Sequence, residues 1–569
     1  MKNGNTATVD PVTLSVLWNG LISVADDMGT TLRHTAYSAA VREGDDFSTG
    51  LFDARGRLVA QGNFSPGHLG SMPYVVGHVL DHFAPADFEP GDCVLLNDSF
   101  MGSGHYPDCF MTSPLFVDGR LAGFAVNIAH HVDMGGAVPG SQIVEVREAF
   151  QEGLRILPVR IARRGELRED VLRLILGNVR LPDIVRGDLL AQRNANAVAA
   201  ERYAGLVGKH GADLVETAID AILDRSEAQM RELIEALPDG TWSHEDFMDD
   251  DTRAGDLLRF HVEVTVDGDS IVLDWSGSSD QVEAGINSYI NYTRAYSGFA
   301  IKVFTDPHLP QNEGVNRPVE IRARSGSFFN PEYPAPSSGR AINQIRMFEV
   351  VCGAFAKMRP EPAMASFSHW SNPVMGGVDD RPGRGRRPFV FYDVIYGGYG
   401  GRSSKDGAEG LCPVFNATNI PVEVHESQAP VRIRRFEFIP DSAGAGRFRG
   451  GCGVRKDVEL LASRATVSLS GDRHRLPPPG LAGGRPGTRG ETVLNPGREE
   501  ARLASKETCD LVRGDVVSYR LSGAGGYGPP GERDEEAIRR DIADGYLTAG
   551  AAREIYGLEE TGFDLKDTP

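Results

Sequence analysis

A long helical segment between two β-rich regions constrains the fold of this chain more than any other feature. From Glu166 to about Leu237 apolar residues recur every three or four positions, which is the spacing of one buried helix face. On both sides of this segment, short alternating apolar runs are separated by Gly and Asp-Gly turn signals, a pattern typical of strands. The sequence therefore predicts an α+β fold with mixed sheets, a helical layer and a β-rich, glycine-rich C-terminal region.

The same patterns divide the 569 residues into four predicted regions. Residues 1–160 are expected to form an N-terminal α+β region, a small mixed sheet with one helix against it. That helix is predicted to begin at Asp10-Pro11, an N-cap followed by a residue suited to the first helical position. Its buried stripe, which recurs every three or four positions, is predicted to consist of Leu14, Leu17, Leu21, Val24, Met28 and Leu32. Residues 161–240 form the helical layer, residues 241–530 a β-rich region with inserted helices, and residues 531–569 a C-terminal helical tail.

Charge and composition exclude several classes of partner. The chain has 79 acidic and 59 basic residues, a formal charge of -20, and such a surface repels nucleic acid and anionic membranes. We find neither a signal or transit pattern nor a run of 18 apolar residues, so we expect a cytoplasmic protein. The six cysteines form no C-x-x-C pair, which argues for reduced thiols and against both a thiolate zinc site and a disulfide framework.

Imidazoles and carboxylates follow the ends of two predicted strands. His105 and Asp108 form an H-x-x-D pair after a glycine-rich loop, and the strand that begins at Leu121 runs into His130 and His131. Asp46, in an upstream loop, lies just before another strand. This donor set suits zinc, manganese or iron and leaves positions open for water or substrate. Because side chains alternate along a strand, only one of the two adjacent histidines is expected to be a ligand.

A purely structural interpretation of these residues stays open from spacing alone. H-x-x-D is a common coincidence, so His105 and His130 could be hydrogen-bonded structural histidines. Asp46 could belong to a solvated turn, and His68 could be a loop histidine.

Common catalytic motifs are absent from the sequence. There is no G-x-x-x-x-G-K-[ST] cradle for ATP phosphates and no G-x-S-x-G nucleophile elbow. One G-x-G-x-x-G occurs at Gly523, Gly525 and Gly528, but Pro529-Pro530 stands where the phosphate-binding helix would begin. These glycines are therefore interpreted as turns.

Taken together, nine ordered stretches between about Asp10 and Gly557 resemble the hydantoinase B/oxoprolinase family. They are DDFSTGLFD from Asp45, PGHLGSM from Pro66, NDSFMGSGHYPD from Asn97, AHHVDMGG from Ala129, QEGLRI from Gln151, GDLLAQ from Gly187, NPEYPAP from Asn330, DSAGAGRFRGGCG from Asp441 and GAGGYGPP from Gly523. The resemblance covers nearly the whole chain.

This resemblance implies a site and a partner. A kinase-like A-type subunit with bound ATP and Mg would phosphorylate a carbonyl or amide, and the B-type subunit would complete the reaction. The family's divalent metal ligands fall on His105, Asp108, His130 and Asp46. His131 and Asp133 would then be catalytic residues beside the metal, orienting ligands or handling protons. The family also implies a larger assembly, a heterotetramer.

We therefore predict the B-type (beta) subunit of an ATP-dependent cyclic amide hydrolase, in which the metal site delivers water or hydroxide to the phosphorylated substrate. Three alternatives remain at this point. The chain could belong to an ATP-dependent ketone carboxylase, which would consume bicarbonate. It could be a self-contained metallohydrolase that needs no ATP, or a non-catalytic scaffold for the ATP-binding subunit that holds no metal.

Overall fold

The structure is a computed structural model that describes residues 9–249, 252, 255–412 and 414–558. Its helices are α1 Pro11–Thr35, α2 Ala39–Arg42, α3 Pro66–His82, α4 Glu169–Leu176, α5 Pro182–His210, α6 Ala212–Glu235, α7 Ile290–Thr305, α8 Glu313–Asn316, α9 Asn343–Met358, α10 Val422–Gln428, α11 Glu535–Ala543 and α12 Ala549–Tyr556.

The strands alternate with these helices along the whole chain. They are β1 Phe47–Asp53, β2 Leu58–Gln61, β3 Cys93–Leu96, β4 Asp108–Val117, β5 Arg120–His130, β6 Val159–Arg163, β7 Glu166–Leu167, β8 Gly240–Met248, β9 Leu258–Asp267, β10 Ser270–Asp274, β11 Val319–Arg322, β12 Trp370–Ser371, β13 Val374–Asp379, β14 Arg387–Tyr392, β15 Ile395–Tyr396, β16 Val431–Ile439, β17 Gly453–Leu460, β18 Arg464–Ser470, β19 Glu491–Leu494, β20 Ala501–Leu503, β21 Lys506–Val512 and β22 Val516–Arg520. The α+β prediction is confirmed.

The first sheet has seven strands in the order β2-β1-β5-β4-β3-β6-β7. Every neighbouring pair in it is antiparallel, whereas the sequence predicted a small mixed sheet. The central hairpin β4–β5 turns at Asp118-Gly119, where both residues have positive φ. Antiparallel pairing places the start of β4 beside the end of β5, and this end of the sheet carries the candidate site.

Helices cover both faces of this sheet. On one face α1 buries the stripe Leu14, Leu17, Leu21, Val24, Met28 and Leu32, as the sequence predicted. The Asp10 carboxylate caps this helix by accepting the backbone N–H groups of Val12 and Thr13. On the other face lies α3, a helix that the local sequence patterns did not predict, packed on the even-numbered side chains of β4 and β5.

A four-stranded sheet, β11-β10-β9-β8, follows the helical segment and packs against α7 and α9. This sheet is mixed, because β10 pairs parallel with β11 and antiparallel with β9. The C-terminal sheets β14-β13-β18-β21 and β16-β17-β22-β19-β20 share a further apolar core. No helix in the described ranges is long and apolar enough to cross a membrane. All six cysteines are free thiols.

Candidate metal centre

The first sheet brings three of the predicted ligands to one point. Asp108 is the first residue of β4 and His130 the last residue of β5, and the two are direct partners in the antiparallel register. The backbone N–H of His130 donates to the carbonyl oxygen of Asp46, 3.0 Å away, so the loop before β1 ends at the same place. His105 reaches this point from the loop between β3 and β4. All four side chains are at least 95% buried.

Three ligand atoms form the centre of this group. The distance from His105 Nε2 to Asp108 Oδ1 is 3.0 Å, and His130 Nδ1 lies 3.2 Å from each of them. Ligands bound at about 2.0–2.2 Å from a common ion lie about 3.0–3.4 Å apart at angles between a right angle and the tetrahedral angle. The three separations therefore match the spacing required by one divalent ion.

The hydrogen bond of His105 Nδ1 determines which of the two ring nitrogens carries the proton. Burial lowers the pKa of this imidazole, so it is neutral and carries one proton. Its Nδ1 lies 2.8 Å from the carbonyl oxygen of Ser338, and a carbonyl can only accept. The proton is therefore on Nδ1, and Nε2 directs a lone pair at Asp108.

Asp108 is ionised despite being fully buried. Burial alone would raise its pKa, but the guanidinium of Arg340 holds that pKa well below its usual value. Its Oδ2 accepts from Arg340 and, over 3.0 Å, from the Tyr292 hydroxyl. Its Oδ1 is left facing the two imidazoles.

His130 can present a lone pair as well. Its Nε2 lies 3.4 Å from the side-chain nitrogen of Gln142, whose Oε1 has no hydrogen-bond partner among the described residues. Turning this amide over would let Oε1 accept a proton from Nε2 and would leave Nδ1 unprotonated. Two nitrogen lone pairs and one carboxylate oxygen would then face each other within 3.2 Å, an arrangement that a cation stabilises.

A wider ring of polar groups surrounds the three ligands. His68 lies in the first turn of α3, and its Nε2 is 3.7 Å from Asp108 Oδ1 and 3.8 Å from Asp46 Oδ1. The hydroxyl of Tyr392 donates to Asp46 Oδ2 over 2.9 Å, while Asp46 Oδ1 and His68 Nδ1 have no hydrogen-bond partner in the described part of the chain. These two residues are thus available to the same ion or to a bound molecule.

His131 and Asp133, the predicted catalytic residues, lie away from this centre. His131 Nε2 is 3.0 Å from Gln192 Oε1, on the opposite side of the strand from His130. The carboxylate of Asp133 accepts from Gly140 and from both the backbone and the guanidinium of Arg180. Among the described residues neither side chain contacts the three ligands, so their catalytic role stays a prediction.

Arg340, Tyr292, Gln142 and Tyr392 were not found from the sequence. They come from distant parts of the chain, and no local spacing relates them to the H-x-x-D pair. Arg340 is only 3% exposed, and its Cζ lies 3.9 Å from the centroid of the Tyr292 ring. A buried arginine requires a buried carboxylate, but the sequence does not show which one it pairs with.

The ligands line a small pocket with an empty volume of about 300 Å³. Tyr392 is part of its wall, and the ring of Tyr392 lies 4.7 Å from that of His130. The same tyrosine lines a surface groove of about 2020 Å³ that runs along β14. Tyr392 therefore lies between the buried ligands and this groove.

The sequence and the fold are those of a known class of proteins. The sequence profile of the hydantoinase B/oxoprolinase family matches residues 10–530, and the chain belongs to that family.

Two similar proteins come from Pseudomonas. The chain is 31% identical to the B subunit of a putative D-/L-hydantoinase of Pseudomonas sp. (strain NS671), over 97% of this chain and 96% of that protein. It is also 31% identical to the beta subunit of the caprolactamase of Pseudomonas jessenii, over the same shares of the two chains.

Solved structures agree with this assignment. The crystal structure of the ATP-dependent caprolactamase from Pseudomonas jessenii matches with a TM-score of 0.90 and 29% identity, covering 98% of this chain and 97% of that one. A nucleotide-free acetone carboxylase matches with a TM-score of 0.87 and 19% identity, covering 98% of this chain and 80% of that one. The latter likeness is one of fold.

Proposed function

We propose that this chain is the B-type subunit of an ATP-dependent cyclic amide hydrolase and that it holds a divalent metal ion through His105, Asp108 and His130, with Asp46 beside them. A kinase-like A-type subunit would phosphorylate the substrate, and this chain would complete the ring opening. The three ligand atoms within 3.2 Å of one another are the observation that carries the proposal.

The surrounding residues support such a centre. Arg340 and Tyr292 hold Asp108 Oδ2, which leaves Oδ1 free to bind the ion. The Ser338 carbonyl holds the Nδ1 proton of His105, which leaves Nε2 free in the same way. An ion bound there would polarise an oxygen of the substrate and lower the pKa of water. Because the ligands are buried, the chain keeps bulk water away from these charges.

Entry of a substrate requires movement of Tyr392. The pocket at the ligands is small, while the groove on the other side of this tyrosine is wide. We propose that substrate arrives through the groove and that the Tyr392 ring turns aside to admit it. The hydroxyl of Tyr392 would then release Asp46, so entry of substrate would coincide with a rearranged carboxylate beside the ion.

Two observations support a separate ATP-binding partner. The chain contains no P-loop for ATP phosphates. Two of its relatives are named as one component, B or beta, of a larger enzyme. A phosphorylated amide is a better electrophile than a free one, which explains why hydrolysis of a cyclic amide would require ATP from a second chain.

Turnover by the assembled complex tests this function. The chain is co-expressed with its kinase-like partner and assayed with ATP on hydantoins, 5-oxoproline and caprolactam, and separately on ketones with bicarbonate. We expect ATP-dependent ring opening by the wild type. His105→Ala and Asp108→Asn should reduce this activity by more than about a hundredfold, because loss of a ligand lowers activity more than loss of a group that only supports a ligand. The control is His78→Ala, which replaces a partly exposed histidine on α3.

Three results would contradict the proposal. Unaltered ring opening by His105→Ala in an intact complex would exclude the metal centre from the reaction. Consumption of ketone and bicarbonate, without activity on any cyclic amide, would identify a carboxylase. Ring opening without ATP or partner would identify a self-contained hydrolase.

A further inference from the structure

Two sequence stretches that have no part in the proposed reaction meet behind His105. Glu152 belongs to the stretch that starts at Gln151, and Ser337 and Ser338 follow the stretch that starts at Asn330. The Glu152 carboxyl oxygen Oε1 accepts the backbone N–H groups of both serines, at 2.5 and 2.6 Å. One buried carboxyl group thus holds the turn formed by these two residues.

This turn contacts the loop that carries His105 at two points. The Ser338 carbonyl oxygen accepts the Nδ1 proton of His105 over 2.8 Å, and the Ser337 hydroxyl donates to the Gly104 carbonyl over 3.0 Å. The Ser338 hydroxyl bonds to the Ile143 carbonyl, which ties the turn to a third segment. The position of the Ser338 carbonyl therefore decides both the tautomer and the orientation of the imidazole.

A glutamate at this buried position costs stability. It is fully buried, and its Oε2 has no hydrogen-bond partner in the ranges that the structure describes. Burial raises its pKa to about 8, although the two N–H bonds act in the opposite direction. An apolar side chain would avoid this cost but would leave two backbone N–H groups unpaired.

We propose that Glu152 is a positioning residue for the metal centre: it fixes the Ser337–Ser338 turn so that the Ser338 carbonyl holds His105 with Nε2 directed at Asp108. The inference rests on the proposed metal centre and adds a residue that touches neither the ion nor the substrate. Its effect on metal binding passes through one turn and one hydrogen bond.

The chain supplies a matched control for a purely structural role. Asp188 is also fully buried, its Oδ1 accepts two consecutive backbone N–H groups, those of Tyr37 and Ser38, and its Oδ2 lacks a hydrogen-bond partner among the described residues. The turn that it holds makes no hydrogen bond to His105, Asp108 or His130 in the described part of the chain. Loss of Asp188 should therefore destabilise the fold in a similar way without changing the ligands.

Zinc affinity of the metal-free full chain tests the proposal. Zn²⁺ is titrated against a competing chelator into the wild type, Glu152→Ala, Glu152→Gln and Asp188→Ala, and the thermal unfolding of each metal-free chain is recorded in parallel. We expect Glu152→Ala to bind Zn²⁺ roughly 10–100-fold more weakly, as other supporting groups of metal ligands do. Glu152→Gln, whose amide oxygen can accept the same two bonds, should bind like the wild type, and so should Asp188→Ala.

The possible outcomes distinguish a positioning role of Glu152 from a purely structural one. Wild-type affinity in Glu152→Ala, or an equal loss in Asp188→Ala, would overturn the positioning role. If Glu152→Ala does not fold, Glu152→Asp, which is shorter by one methylene group, carries the same expectation of weaker binding. If the wild type itself binds neither Zn²⁺ nor Mn²⁺ nor Fe²⁺, the metal centre fails and this inference fails with it, a result distinct from a change confined to the variants.

Discussion

Replacing Gly104 by alanine tests the packing that holds the Asp108 ligand. A Cβ atom on Gly104 would lie less than 3.0 Å from Nε, Cζ and Nη2 of Arg340, a separation that real Cβ atoms do not show. The guanidinium cannot retreat, because it is 3% exposed, stacked at 3.9 Å on Tyr292 and paired with Asp108. The backbone of Gly104 lies outside the left-handed region, so the added methyl group is the whole perturbation.

The expected cost follows from these contacts. Overpacking of a core costs about 1–3 kcal/mol, and breaking a buried ion pair from one side costs about 3–5 kcal/mol. Because the two effects share one side chain they do not add fully, and we expect Gly104→Ala to lose at least about 3 kcal/mol of stability.

Thermal unfolding of the metal-free chain measures this loss. The control is Gly77→Ala, a helical glycine whose Cβ would meet nothing within 4 Å, and it should gain roughly 0.5–1 kcal/mol. If Gly104→Ala unfolds at the wild-type temperature while Gly77→Ala shifts upward, the described packing of Arg340 over Gly104 is wrong.

Three further changes test other parts of the account. Lys456→Met should cost about 3–5 kcal/mol, because Lys456 Nζ lies 2.5 Å from Asp393 Oδ2 in a pair that is 2% exposed; adding Asp393→Asn should recover most of the loss in unfolding temperature. Tyr392→Phe should cost about 1–3 kcal/mol by leaving the buried Asp46 carboxylate without its donor, and a silent variant in the same assay would argue against that bond. In the folded chain the pKa of Glu152 rises from 4.5 to about 8, so its protonated form stabilises the fold below pH 4.5 and this contribution is lost as the pH rises to 8. Glu152→Gln should therefore gain unfolding temperature over the wild type across that range, and a difference that is constant with pH would refute the shift.

Local patterns in the sequence were sufficient for much of the fold. Helix α1 was predicted from the spacing of its buried stripe, which is a property of the segment itself. The alternation along β5 is also enough to separate His130 from His131, because adjacent side chains of a strand point to opposite faces.

Helix α3 shows where such patterns fail. It begins with Pro66-Gly67 and contains Pro73, a composition that is typical of loops. Its stability comes from packing on β4, β5 and α7, contacts that no local window of sequence contains. His68 was consequently treated as a possible loop histidine, although the first turn of α3 directs it at Asp108 and Asp46.

The candidate site likewise contains residues that the sequence predicted and residues that it did not. His105 and Asp108 are three residues apart, and His130 ends a recognisable strand, so the sequence displayed them together. Arg340 lies 232 positions from Asp108, and only the folded chain pairs them. Residues that orient a ligand can come from any part of the chain that the fold brings near it. Their spacing in the sequence therefore does not predict them.

The most direct test of the central claim is the metal content of the purified chain. Elemental analysis should find close to one zinc, manganese or iron ion per wild-type chain, and the same content in His131→Gln, whose side chain faces Gln192 and not the ligands. His105→Ala should lose the ion. Metal retained in His105→Ala, or absent from all three proteins, would contradict the assignment of His105, Asp108 and His130 as a metal centre.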